Sequence, residues 1–103
     1  MQTNQTQARV AVVTGGAMGI GAEVCRRLGA AGFVVVVADR DQPAAENTAA
    51  ELRAGGAAAE AQAIDVGDAA SVDRAFAAIE KRHGRCDVLV NSAGIAKVYP
   101  FLE

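Results

Sequence analysis

Short runs of mostly β-branched residues alternate along this chain with longer stretches of helical periodicity, and this alternation restricts the possible folds more than any other feature. The apolar runs occupy residues 10–13, 33–37, 61–66 and 88–90. The first, second and fourth are apolar throughout, which is typical of strands buried on both faces of a parallel sheet. The order β-α-β-α-β-α-β therefore predicts an α/β fold with an open, doubly wound parallel sheet.

Three helices are predicted between these runs, and each is indicated by an apolar stripe. The stripe residues are Ile20, Val24, Leu28 and Ala31 in the first helix, Ala45, Ala49 and Leu52 in the second, and Val72, Ala75, Phe76 and Ile79 in the third. Pro43 is suited to the first turn of the second helix, and Asp68 is expected to cap the third. His83 is interpreted as a charge at the end of the third helix, and Gly84 as its left-handed stop.

Composition excludes several classes of protein. A chain of 103 residues permits one domain with a modest core, and 51% hydrophobic with 21% charged residues excludes a disordered chain. The net charge of −2 gives no footprint for nucleic acid, and no apolar run approaches the ~20 residues of a membrane span. Residues 1–8 form a polar tail, expected to be disordered, with no signal region.

The two cysteines, Cys25 and Cys86, match no metal or redox spacing. They are interpreted as small buried residues in a reducing compartment, and the cytoplasm is the expected location. The sequence alone leaves a disulfide between them open.

The segment TGGAMGIG at residues 14–21 follows the first predicted strand and opens the first helix. Its glycines suit three tasks: Gly15 permits a tight turn, Gly19 lets the backbone approach a diphosphate, and Gly21 permits close packing of helix on strand. The diphosphate would lie on the free N–H groups at the start of the helix. In this setting a dinucleotide site is favoured over a plain tight turn.

Asp39 ends the second strand, 20 residues after Gly19. A carboxylate there can accept hydrogen bonds from both hydroxyls of an adenosine ribose and would repel a 2′-phosphate, so NAD is favoured over NADP. Met18 offers no positive charge for such a phosphate, whereas Arg40 is counter-evidence because its guanidinium could turn toward one. The alternative role for Asp39 is to cap a solvated turn.

The third and fourth strands are predicted to end at Asp65-Val66 and at Asn91-Ser92-Ala93-Gly94. The carboxyl ends of parallel strands share one edge, and ligands bind at that edge. Asp65 could accept from an adenine amino group while the N–H of Val66 reaches a ring nitrogen, but an Asp that caps the next loop fits the spacing as well. Small residues at 92–94 leave room for a cofactor, and an ordinary turn is the alternative.

Together these segments resemble the short-chain dehydrogenase/reductase family over residues 9–98. The resemblance implies that residues 9–103 form the N-terminal half of a Rossmann-type domain with strand order 3-2-1-4, truncated before the catalytic half. It also implies a cofactor site formed by Gly15, Gly19, Ile20, Gly21, Asp39, Asp65, Val66, Asn91, Ala93 and Gly94.

The function implied by the resemblance is hydride transfer between NAD(H) and an alcohol or carbonyl carbon, in a parent protein that is a homo-oligomer. The family's catalytic Ser and its Tyr-x-x-x-Lys pair would lie beyond Glu103, so the chain alone is expected to be inactive. Tyr99 is not that tyrosine, because Glu103 stands four residues later instead of Lys. Ser92 stands where the family usually has a second Asn, which puts the bridging role of that Asn in doubt.

Two other functions compete with this interpretation. One is a nucleotide-binding module that senses or stores a nucleotide without catalysis. The other is a methyltransferase that binds S-adenosylmethionine on a related sheet; it ranks lower, because its glycine loop is usually spaced differently and it lacks the NSAG segment. A Tyr-x-x-x-Lys motif about 50–60 residues further along, the spacing implied by the family resemblance, would favour the enzyme.

Overall fold

Strands and helices alternate without interruption through residues 8–92, the part of the chain that the computed structural model describes. The elements are β1 (Val10–Thr14), α1 (Gly19–Ala30), β2 (Val34–Asp39), α2 (Gln42–Ala54), β3 (Ala59–Ala63), α3 (Ala69–His83) and β4 (Val88–Asn91). The predicted tail, apart from Ala8, lies outside the described residues, as does the segment from residue 93 onward. The predicted α/β order is confirmed.

The four strands form one parallel sheet in the order β3-β2-β1-β4. In the centre, β1 and β2 run in register from Val10 opposite Val34 to Thr14 opposite Ala38. On the other side of β1, Thr14 lies opposite Asn91. The doubly wound order 3-2-1-4 is therefore confirmed, and it brings the carboxyl ends of β2, β1 and β4 side by side.

Each face of the sheet carries its own apolar cluster because successive residues of a strand point to opposite faces. One cluster joins β1 and β2 to the helices α1 and α2, and its buried members are Val13, Ala17, Cys25, Val35, Val37, Ala45, Ala49 and Leu52. The other joins the opposite face to α3 through Val10, Val12, Val36, Ala38, Ile64, Ala75 and Ile79. The two central strands are thus buried on both faces, as their apolar sequences predict.

The third strand was predicted at the wrong position. It was expected at residues 61–66 but occupies Ala59–Ala63. Its partner β2 ends at Asp39, opposite Ala63, so the ladder closes there with a last bond from Ile64 N to Asp39 O. Asp65 and Val66 therefore lie in the loop that leads to α3. In β4, which has β1 as its neighbour in the described sheet, Val88–Val90 are half-buried, in contrast to the buried residues of β1 and β2.

The helix ends agree with the predicted caps. Pro43 stands in the first turn of α2, as predicted, and Asp41, which the sequence analysis did not name, caps this helix by accepting from Ala44 N. Asp68 accepts from Ala70 N at the start of α3. Gly84 ends α3 with a φ of 72°. These caps satisfy backbone groups that a helix leaves without partners at its ends.

Both cysteines are free thiols. Cys25 is buried, as predicted, whereas Cys86 is exposed in the short connection between α3 and β4, so the prediction of burial is wrong for Cys86. Burial raises the pKa of the Cys25 thiol to about 11. Within residues 8–92, no helix is long and apolar enough to cross a membrane.

Candidate functional site

The loop between β1 and α1 stands at the carboxyl edge of the sheet, where the predicted site residues meet. Gly15 and Gly19 have φ values of 69° and 60°. Both values lie in the left-handed region, which residues other than glycine rarely adopt, so the loop requires glycine at these positions. The first predicted role, a tight turn at Gly15, agrees with this geometry.

The first turn of α1 is open to solvent. Its N-cap residue, Met18, makes no side-chain hydrogen bond to the helix, and the first turn carries no acidic residue. A Cβ built on Gly19 would meet no described protein atom within 4 Å. Met18 and Ile20 are 66% and 79% exposed, and they are the large apolar residues that lie exposed in the described part of the chain. An anion can therefore approach N–H groups that lack intrahelical partners and carry the positive end of the helix dipole.

Two glycines in this segment are required by packing. A Cβ on Gly21 would collide with the carbonyl of Gly15 and would lie 2.5 Å from Ser92 Oγ. Gly21 therefore permits a close approach, as predicted, but the atoms that it approaches belong to the loop and to the residue after β4, where the sequence predicted packing on a strand. A Cβ on Gly16 would lie 2.9 Å from Val13 O and 3.1 Å from Cys25 Sγ. The sequence reasoning missed Gly16, because its position is outside the spacing used to interpret the other three glycines.

Asp39 lies beside the glycine loop and is held by two backbone donors. Its Oδ2 accepts from Ala17 N at 3.1 Å, and its Oδ1 accepts from Asp41 N at 3.1 Å. The second bond is the turn cap that the sequence offered as an alternative. The first ties the carboxylate to the loop, and Gly16 N adds a bond to Ala38 O at 3.2 Å. Asp39 is therefore fixed next to the open turn of α1.

A threonine in α2 completes this side of the loop. Thr48 is 5% exposed, and its Oγ1 donates to Ala17 O at 2.8 Å. The sequence reasoning missed Thr48. Its signal is a polar residue on the apolar stripe of α2, three positions after Ala45 and directly before Ala49. A hydroxyl buried among alanines needs a partner, and the loop supplies one.

The other side of the loop is held by β4. Ser92 donates through its hydroxyl to Thr14 O at 2.8 Å, lies 3.4 Å from Gly15 O, and donates through its backbone N–H to Thr14 O at 3.0 Å. Thr14 in turn donates through Oγ1 to Asn91 Oδ1 at 2.8 Å. Ser92 therefore links the end of β4 to the start of the glycine loop.

A cavity of about 340 Å³ lies between the strand ends and α3. Its lining residues are Thr14, Ile64, Val66, Gly67, Ala69, Val72, Asp73, Phe76, Leu89 and Asn91. Of the two residues expected near an adenine, Val66 lines this cavity. Asp65 instead holds the loop after β3, since its Oδ1 accepts from Gly67 N at 3.0 Å. The capping role that the sequence left open for Asp65 is thus observed.

The structure brings most of the ten expected residues to one edge. Gly15, Gly19, Ile20, Gly21 and Asp39 surround the start of α1. Asn91 and Val66 line the adjoining cavity, and Asp65 stands beside it in the same loop. Ala93 and Gly94 lie outside the described residues.

Known proteins are similar to this chain in sequence and in fold. The short chain dehydrogenase family model matches residues 9–103. The chain is 42% identical over 95 residues to D-threitol dehydrogenase of Mycolicibacterium smegmatis, covering 92% of this chain and 36% of that protein. It is 44% identical over 100 residues to L-2,3-butanediol dehydrogenase of Corynebacterium glutamicum, covering 93% and 38%.

A solved relative agrees with the sequence comparison. A metagenomic short-chain oxidoreductase, crystallised in complex with NADP, has 41% identity and a TM-score of 0.81, covering 84% of this chain and 39% of that one. The chain thus spans a little over a third of the length of the curated relatives it matches. The family model, the relatives and the shared sheet agree, and the chain belongs to the short-chain dehydrogenase family.

Proposed function

We propose that this chain is the NAD(H)-binding part of an oxidoreductase that transfers hydride between the nicotinamide and an alcohol or carbonyl carbon. The observation that carries the proposal is the open first turn of α1 beside the carboxylate of Asp39. Gly19 leaves free space in front of this turn, and Asp39 is held against the loop by Ala17 N at 3.1 Å. A positive helix end next to a fixed acceptor suits a diphosphate joined to a ribose.

Each part of the cofactor has residues to receive it. The diphosphate would bind the backbone between Gly15 and Gly21, with Ile20 behind it, and the adenosine ribose would bind Asp39. The adenine would lie near Asp65 and Val66, and Asn91, Ala93 and Gly94 would line the remainder of the cofactor. When bound, the dinucleotide supplies the hydride acceptor or donor, while this chain binds and orients it.

The charge of Asp39 is the basis for proposing NAD over NADP. A 2′-phosphate placed on the ribose would meet this carboxylate, and repulsion between like charges at close range is costly. Arg40 is exposed and is the adjacent cation that could oppose this preference. Because a solved relative holds NADP, the affinities of this chain for NAD⁺ and for NADP⁺ must both be measured.

The remaining features of the whole protein follow the family. We propose a small alcohol or carbonyl substrate, a homo-oligomeric parent and a cytoplasmic location, with no part for nucleic acid or membrane. Reduction of a carbonyl needs a proton at its oxygen. We propose that the residues that deliver this proton stand outside these 103 residues, because the family's Tyr-x-x-x-Lys pair is absent from them. The chain alone is then a binding unit without turnover.

Calorimetric titration of the 103-residue chain tests this proposal. We expect NAD⁺ to bind more tightly than NADP⁺, with no heat from S-adenosylmethionine. A turnover assay with NAD⁺, D-threitol and 2,3-butanediol should give no activity. Binding of S-adenosylmethionine alone would favour the methyltransferase, and turnover would place a catalytic group within this chain.

A further inference from the structure

Among the described residues, Thr48 is a buried polar side chain that the apolar face of α2 does not explain. It stands in the middle of α2, where Ala45, Ala49 and Leu52 form the face packed on the sheet. Threonine is a poorer helix former than alanine, and a buried hydroxyl without a partner is costly. A polar residue at this position therefore indicates a contact that alanine could not make.

That contact is with the glycine loop. A threonine inside a helix commonly donates to the carbonyl one turn before it. Thr48 instead donates to Ala17 O at 2.8 Å, across 31 positions of sequence. The N–H of Ala17 donates to Asp39 Oδ2 at 3.1 Å. Ala17 is thus held through its carbonyl by α2 and through its amide by the end of β2.

We propose that Thr48 is a positioning residue that sets the nucleotide preference through Ala17. This inference rests on the proposed function, since it assigns Asp39 to the ribose. If the hydroxyl were removed, the Ala17 carbonyl would lose the hydrogen bond from Thr48. Because Ala17 is only 7% exposed, water could not easily replace that bond while the loop keeps its position. The loop would then rotate to hydrate that carbonyl, and the rotation would draw Ala17 N away from Asp39 Oδ2. The carboxylate would lose one of the two bonds that fix its direction.

The test removes the hydroxyl while keeping the volume. Thr48→Val is titrated with NAD⁺ and with NADP⁺, and its melting temperature is measured in parallel. We expect NAD⁺ to bind roughly tenfold more weakly, the effect of about one hydrogen bond, while NADP⁺ changes less. The ratio of the two affinities should therefore fall. Thr48→Ser retains the hydroxyl and should restore the ratio.

Leu52→Ala is the matched control, because Leu52 lies one turn further along the same face of α2 and contacts the core rather than the loop. It should lower the melting temperature and leave the ratio unchanged. If Thr48→Val does not fold, Thr48→Ala compared with Thr48→Ser makes the same distinction. A lower melting temperature with an unchanged ratio would reduce Thr48 to a structural role and overturn the inference.

The unmodified chain separates this inference from the function on which it rests. A chain that binds neither dinucleotide, or that prefers NADP⁺, overturns the proposed NAD site and this inference with it. A chain that prefers NAD⁺, with Thr48→Val showing the same preference, overturns only the role of Thr48.

Discussion

The glycine loop is held by different chemistry on its two sides. Toward β2 and α2, Ala17 donates to a carboxylate and accepts from a buried hydroxyl, Asp39 and Thr48 respectively. Toward β4, the Ser92 hydroxyl and backbone N–H donate to Thr14 O. The β2 side contains a charge that a ligand would meet, whereas the Ser92 bonds on the β4 side are neutral and set how closely the loop, the strand end and α1 approach. We therefore expect nucleotide preference to depend on the β2 side and nucleotide affinity as a whole on the β4 side.

The largest expected effect follows from closing the space on the β4 side. Gly21→Ala would place a methyl group against the Gly15 carbonyl and Ser92 Oγ, which must move apart. We expect the free energy of unfolding to fall by about 3 kcal/mol, the upper end of the range for an overpacked site. We also expect the chain to lose its binding of both NAD⁺ and NADP⁺. Urea unfolding and calorimetry measure the two effects.

Gly55→Ala is the control for that change, because its Cβ would contact backbone oxygens at ordinary distances of 3.6 and 3.7 Å. Unaltered stability and binding in Gly21→Ala would show that helix and loop need not approach so closely.

Gly19→Ala tests the open turn between the two sides. The added methyl group meets no described protein atom within 4 Å, but it would occupy the space proposed for the diphosphate. The φ of 60° adds a strain of roughly 1 to 2 kcal/mol. We expect NAD⁺ affinity to fall by about tenfold or more, because the methyl group blocks a contact with the diphosphate, while far-UV circular dichroism is unchanged.

Gly84→Ala carries nearly the same strain, at a φ of 72° and also in open space, but lies at the end of α3. It should destabilise the chain by a similar amount and retain binding. Equal binding by the two variants would show that the loop glycine is only a turn residue.

Asp39→Ala removes the charge on the β2 side. We expect NAD⁺ to bind roughly tenfold more weakly, because the ribose loses a charged acceptor, and NADP⁺ to bind more tightly as the repulsion disappears. Asp41→Ala removes a neighbouring carboxylate that caps α2, so it should lower stability by about 1 kcal/mol without changing the preference. The same preference in the unmodified chain and in Asp39→Ala would contradict the comparison.

Ser92→Ala removes the side-chain bond on the β4 side and is expected to have a smaller effect. The Ser92 backbone N–H still donates to Thr14 O, so the loop keeps part of its support. We expect NAD⁺ and NADP⁺ affinities to fall together by roughly threefold, less than a full hydrogen bond. Calorimetry that finds a changed ratio would assign selectivity to both sides of the loop.

The smallest effect on binding is expected from Asp87, at the opposite end of β1. Its Oδ2 accepts from Val10 N at 2.7 Å, and it is paired with Arg85. The hydrogen bonds from Arg85, then that from Val10, hold the pKa of Asp87 below its usual value. This stabilisation is present above the ordinary carboxyl pKa and is lost as pH falls through the lowered one.

Thermal unfolding between pH 6 and pH 2, roughly the range over which carboxyl groups titrate, should therefore show a weaker acid dependence in Asp87→Asn than in the unmodified chain. NAD⁺ affinity at neutral pH should be the same in both. A changed nucleotide ratio would show that the loop responds to the far end of β1.

The sequence predicts the features that depend on neighbouring residues or on the period of a single element. Apolar runs locate β1 and β2, and local caps such as Asp68 and Gly84 locate helix ends. The third strand, Ala59–Ala63, was misplaced because its length is set by its partner: β2 ends at Asp39, and the ladder can extend no further. Its own alternation of alanine with polar residues gives a weak strand signal.

Within the site, motif glycines and strand-end carboxylates could be identified because their spacing reflects one turn or one strand. Thr48 could not, since it acts through a hydrogen bond to a carbonyl 31 positions away. Ser92 could be identified, but its bond to Thr14 O, across 78 positions, could not. Gly16 depends on the space beneath it, which Cys25 and Val37 define only after folding.

The outer strand β3 bears on how this chain behaves at high concentration. An unpaired strand offers N–H and C=O groups to any other chain that approaches, and charged side chains are a common protection against such pairing. Glu60 on β3 lies 2.6 Å from Arg82 and 2.9 Å from His83, while Arg53 donates to Ala59 O at 3.0 Å. A strand that added here would have to displace Arg53 from Ala59 O and would lie beside the charged side chains of Glu60 and Arg82. We therefore expect the polar alternation that made β3 difficult to recognise to disfavour fibre-like growth from this edge.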